Sequence, residues 1–174
     1  MTSTPALASA NIENEDWLIS PVLDLSSYPF PLLSFWSRTA FNGPALQLRV
    51  STNYTGTGAP GAATWTTLNV PFPASGSDVW TQTANINLAA FKGAPVYVAF
   101  VYTSSTSAAA RWTLDDIVLT KSATPPAPTV LTDVKQLAFG YQTINTNTDR
   151  TLSVSANDLT TDVLRKQASR APLR

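Results

Sequence analysis

This sequence predicts an all-β fold: an antiparallel jelly-roll β-sandwich, followed by a Pro-rich linker and a partial second β-sandwich. Three observations predict it. Apolar residues alternate with polar ones at period two through the first 120 residues, which places them on one face of a strand. Turn-forming clusters interrupt that alternation at short intervals, the spacing of a many-stranded sandwich. Only 13% of the 174 residues are charged, while Thr, Ser, Asn and aromatic residues are plentiful, a balance that favours strands. No segment carries sustained helical periodicity.

The elements follow in chain order. Asn14-Glu15-Asp16-Trp17-Leu18-Ile19-Ser20-Pro21 opens the β-rich segment, and Leu32 to Phe35 is a short apolar run. Leu46, Leu48 and Val50 alternate with Gln47 and Arg49, a strand with one wet face. Trp80 to Leu88 alternates more weakly. In the next run Val96, Val98, Phe100 and Tyr102 share one face and Tyr97, Ala99 and Val101 the other. Apolar on both sides, that strand belongs in the middle of its sheet. Trp112-Thr113-Leu114-Asp115-Asp116-Ile117-Val118-Leu119 closes the segment. The turns between them are Asn42-Gly43-Pro44, Gly56 to Gly61, Ser75-Gly76-Ser77-Asp78 and Lys92-Gly93-Ala94-Pro95.

The first domain is expected over residues 11–120. Three prolines in four positions (Pro125, Pro126, Pro128) then mark a linker over 121–130, because proline cannot join a sheet ladder and favours an extended spacer. Residues 131–164 read as a partial second β module, with strands at Leu137-Ala138-Phe139-Gly140 and within Thr151 to Leu159. About 45 residues remain after the linker, roughly half of the ~100 in a typical immunoglobulin-like sandwich. Residues 165–174 abandon the β pattern and are expected to be a basic, disordered tail, the mark of a truncated or frame-shifted end.

Composition excludes several functions. Residues 1–120 carry seven acidic side chains against four basic ones, a net charge of −3, while Arg165, Lys166, Arg170 and Arg174 crowd the far end. An acidic domain lacks the clustered Lys and Arg that a nucleic-acid backbone demands, so no nucleic-acid partner is expected. The chain contains no His and no Cys. That removes disulfides, thiolate ligands and the usual general-base and nucleophile arrangements, so the chain is not expected to be an enzyme. No run reaches the ~20 apolar residues that span a bilayer, and no membrane insertion is expected. Residues 1–10 have neither a basic start nor an apolar core, so no signal peptide is expected there, and the chain is expected to be a piece of a longer protein.

Blocks in order across about residues 13–120 resemble the cleaved-adhesin and choice-of-anchor J group of jelly-roll (MAM-like) modules of secreted multidomain bacterial proteins. The carrying residues are Asp16 to Pro21, Leu23-Asp24-Leu25, Leu33-Ser34-Phe35-Trp36 and Leu48-Arg49-Val50-Ser51-Thr52-Asn53-Tyr54. Trp65, Val98 to Tyr102 and Trp112 to Ile117 complete the match. Such modules usually begin with strands upstream of the Trp-Leu-Ile-Ser-Pro block, and those strands are expected to be missing here. The Leu-Ala-Phe-Gly block and Leu152 to Leu159 look like the start of an immunoglobulin-like repeat. The resemblance implies a secreted or cell-surface location.

Two sets of residues are candidate sites. Trp112 and Leu114 share one strand parity and Ile117 and Leu119 the other, so the alternation slips at Asp115 and Asp116, as a β-bulge would make it do. Adjacent carboxylates at a sheet edge offer oxygen ligands to Ca²⁺, which takes six to eight of them. The resemblance implies a structural calcium held with the early acidic segment, adding Glu15 and Asp16; the alternative is a solvated turn with a capping Asp. Trp36 with Arg38, and Trp65 after the glycine-rich loop, are the aromatic candidates for stacking on a sugar ring, while Trp17 and Trp112 are assigned to packing. The expected function is a non-catalytic adhesion or carbohydrate-binding module whose partner is a polysaccharide or cell-surface ligand. The alternative is a spacer attached to an extracellular nuclease, protease or phosphatase.

Overall fold

The computed structural model describes residues 11–132 and 153–158. Two compact units divide the chain between Pro126 and Ala127. In the first, seven strands form two antiparallel sheets packed as a sandwich. The strands are β1 (Asn14–Ile19), β2 (Phe30–Ala40), β3 (Gln47–Ser51), β4 (Thr66–Leu68), β5 (Thr81–Asn87), β6 (Tyr97–Ser104) and β7 (Arg111–Ser122). One sheet has the order β1-β6-β3-β4 and the other β5-β2-β7, so the chain changes sheet at every connection but that from β3 to β4. Two short 3-10 turns, Pro60–Ala62 and Ala89–Phe91, are the helical elements among the described residues.

Alternation puts the predicted faces where they belong. Leu46, Leu48 and Val50 are buried in the core, and Val98 and Phe100 meet them from the neighbouring strand. As expected, β6 is central in its sheet, paired with β1 on one side and β3 on the other. From β2, Leu33 and Phe35 enter the same core, and Phe35 stacks edge-on against Phe100 with ring centroids 4.9 Å apart. Leu25, Leu88 and Val96 complete it. The apolar run seen at 32–35 is only the first half of β2. Its second half is polar, with the buried Ser37 and Thr39 on the inward parity of Phe35.

Both neighbours of β2 carry a bulge at one level. Ser34 pairs with Val118 but Trp36 with Asp115, so β7 holds an extra residue there. Across β2, Leu33 pairs with Ile86 but Phe35 with Thr83, so β5 holds one too. Asp116 (φ 47°) and Asn85 (φ 59°) sit in the left-handed region at these points. Asn and Asp tolerate it better than most residues. The bulge resets parity in β7: Trp112 and Leu114 pack toward the core before it, and Leu119 after it.

β1 and β7 are edge strands of different sheets that border one apolar slot. It is lined by Leu18 and Leu23 on one side, Ile117 and Leu119 on the other, with Leu33 and Phe100 at its floor, and has a volume of about 370 Å³. Leu18 is 56% exposed and Ile117 48%, although both lie on the core parity of their strands.

The predicted linker is shorter than 121–130. β7 continues through Lys121 and Ser122, and β8 (Thr129–Thr132) already begins at Thr129, so the irregular stretch is 123–128. In the second unit β8 pairs antiparallel with β9 (Val154–Asn157), which falls inside the strand expected at 151–159. The strand expected at 137–140 and the basic tail at 165–174 lie outside the described residues.

Candidate functional site: an aromatic and acidic shelf

The outer face of the three-stranded sheet carries the strongest concentration of site-like side chains. Residues opposite one another in an antiparallel ladder share a face. Gln82 of β5, Trp36 of β2 and Asp115 of β7 therefore form one cross-strand row. Trp80, one residue before β5, shares the parity of Gln82. Trp36, Trp80, Asp115 and Asp116 line a shallow cavity of about 270 Å³. Trp36 is half-buried, Trp80 is 38% exposed and both carboxylates face solvent.

The sequence pattern brings these groups together for a local reason. Phe35 and Ser37 point into the core, so Trp36 and Arg38 must point out. The bulge at Asp116 lets Asp115 keep its outward parity while Ile117 turns inward. Asp116 donates its backbone N–H to Asp115 Oδ1 at 2.8 Å, closing the bulge on itself.

Arg38 flanks the shelf but is committed. Its guanidinium lies over the Trp80 ring, 5.3 Å from the centroid. Its Nε is 3.4 Å from Asp78 Oδ1, close enough for an ion pair but misaligned for a hydrogen bond. Arg111 reaches the same carboxylate at 3.8 Å. Asp78 therefore pairs with both nearby cations, and Arg38 covers one face of Trp80.

Of the residues picked out from sequence, Trp36, Arg38, Asp115 and Asp116 come together, whereas Trp65, Glu15 and Asp16 do not join them. Trp65 belongs to the opposite sheet's outer face. It donates Nε1–H to the Pro60 carbonyl at 2.9 Å and packs against Trp17 and Tyr54 with centroids 5.1 and 5.5 Å away. Trp17 is held there as well, under the Arg49 guanidinium, so its packing is on the outer face and not in the core. Trp112 does pack against the core, edge-on to Phe72.

Glu15 and Asp16 lie on β1, in the other sheet from the Asp pair. Glu15 accepts a 2.6 Å hydrogen bond from Trp17 Nε1, and Asp16 one from Asn14. Among the described residues no three His, Cys, Asp or Glu side chains gather in a group that could hold a metal ion. The four carboxylates expected to share a calcium are thus not brought together.

Trp80 and Asp78 were the residues that sequence reasoning passed over. Weak alternation at the start of β5 hid Trp80, although its parity with Gln82 was readable. Asp78 sat in a turn cluster and gave no sign of reaching two arginines. No family model matches this chain, and a search among curated proteins finds no match. No helix among the described residues is long and apolar enough to cross a membrane.

Proposed function

We propose that this chain is a non-catalytic carbohydrate-binding or adhesion module of a secreted or cell-surface bacterial protein, and that Trp36 and Trp80 form its sugar-stacking platform. One observation carries the reading: two solvent-reaching indoles and two carboxylates line one shallow cavity on a sheet face. Indole faces supply apolar area to the flat side of a pyranose ring while the ring-edge hydroxyls donate to carboxylate oxygens. The missing His and Cys favour binding over turnover. Calcium held by Asp115 and Asp116 alone would leave most of its six to eight positions to water, so the stacking role is the better use of this face.

The test is a glycan array followed by calorimetry on the hits. Trp80→Ala is expected to weaken binding by ~1 kcal/mol or more, about fivefold, as one aromatic face is lost. Trp65→Ala, on the other sheet, is expected to leave it unchanged. Equal loss from both variants would move the site. Division of the chain into two compact units also favours the spacer reading, which prevails if neither a polysaccharide nor a cell surface is bound.

A further inference from the structure

Resting on that reading of the shelf, we infer that its ligand is a cationic sugar, a glucosamine-type oligomer bearing free 2-amino groups. The charge arrangement carries the inference. Both arginines near the shelf are drawn to Asp78, 3.4 and 3.8 Å away. Asp115 and Asp116 have no ion-pair partner among the described residues. The cavity therefore offers two carboxylates with no ion-pair partner beside two indoles; Asp78 offsets one of the two arginine charges, so Arg38, Arg111, Asp78, Asp115 and Asp116 together carry −1.

Acceptors are in excess there as well. Asp115 Oδ1 takes the Asp116 backbone N–H, which leaves the second Asp115 oxygen and both Asp116 oxygens for a ligand. A neutral sugar meets these with hydroxyl donors, but only a positive group also relieves the charge. An ammonium at the edge of a stacked pyranose meets both features at once, ring on indole and charge on carboxylate. A quaternary ammonium fits less well, since it needs an aromatic cage on several sides and this cavity is open with two rings. An anionic sugar is repelled by the Asp pair, and the cations that would receive it are engaged by Asp78.

Calorimetry on the full chain with three β-1,4-linked tetramers separates the alternatives: glucosamine, N-acetylglucosamine and glucose. At pH 6 an amine of ordinary α-amino basicity is protonated. The glucosamine tetramer is expected to bind about tenfold tighter than the glucose tetramer at low salt, and less than about threefold tighter at 0.5 M salt, where exposed charges are screened. The double variant Asp115→Asn with Asp116→Asn removes the charge while keeping side chains suited to the bulge, since Asn accepts positive φ. It is expected to abolish the preference, so that the glucosamine and glucose tetramers bind the double variant equally. Equal affinity for charged and neutral tetramers, or a preference that survives the double variant, overturns the cationic ligand and leaves sugar binding standing. Binding of none of the three, or binding indifferent to Trp80→Ala, overturns both.

Discussion

At the scale of single residues, the shelf depends on which groups are already satisfied. Asp78 holds Arg38 and Arg111, and Arg38 in turn covers Trp80. Asp78→Asn is therefore expected to free both arginines and bring positive charge toward the Asp pair, lowering affinity for a cationic sugar more than for a neutral one in the same calorimetry. Thr39 shows the opposite economy. Its hydroxyl is buried without a hydrogen-bond partner, as is that of Ser37. Thr39→Val keeps the shape and removes the unpaired group, so it is expected to raise stability by about 1 kcal/mol in urea melts. Asp24 supplies a pH effect. The backbone N–H and hydroxyl of Ser26 hydrogen-bond its carboxylate and hold its pKa below the ordinary 3.8. A depressed folded-state pKa contributes stability above the unfolded value, and that contribution fades as pH falls through the folded one. Asp24→Asn should lower stability slightly at neutral pH, where that contribution is fully present, and flatten the acid limb of a stability profile below about pH 4.

At the scale of elements, the paired bulges beside β2 decide what the shelf displays. One residue was enough to announce the bulge in β7, because Trp112 and Leu114 could not share a face with Leu119 by strict alternation. Its twin in β5 was not announced, since Thr81, Thr83 and Asn85 are too polar to mark a face. Asp116 at φ 47° makes the prediction. Asp116→Gly should be tolerated, whereas Asp116→Val should cost about 1–2 kcal/mol, because a β-branched side chain is poorly housed in the left-handed region. Deleting Asp116 should be tolerated better than Asp116→Val. It removes the extra residue of the bulge, and residues 117–122 keep their faces because Leu114, Ile117 and Leu119 then alternate strictly. Thermal melts of the three variants rank these outcomes.

At the scale of the molecule, the two-sheet sandwich was legible because β3 alternates cleanly and β6 is apolar on both faces, and both strands are well buried. Strand partners were not legible: nothing local in Asn14–Ile19 says that it pairs with residues 99–104, since only the folded core decides that. The same limit separated Trp65 from Trp36, two tryptophans that looked alike in sequence and lie on opposite faces of the sandwich. The slot between β1 and β7 leaves two strand edges and several apolar side chains exposed on one side, a setting in which edge pairing between copies is expected. Leu18→Lys should reduce concentration-dependent association in light scattering and cost little in melting temperature, since Leu18 is already 56% exposed. β1 also governs how the domain answers a pull. It starts opposite Ser104, the end of β6, and after a connection of only six residues β7 sets out from that same end. β7 then runs twelve residues, about 40 Å, in the direction of β1. Tension entering through residue 13 and leaving through residue 123 therefore lies along both strands, and β1 must slide past β6 with all six paired residues loaded together. Handles placed at residues 14 and 104 would instead open the same ladder one pair at a time. In single-molecule stretching the first geometry is expected to break at clearly higher force than the second.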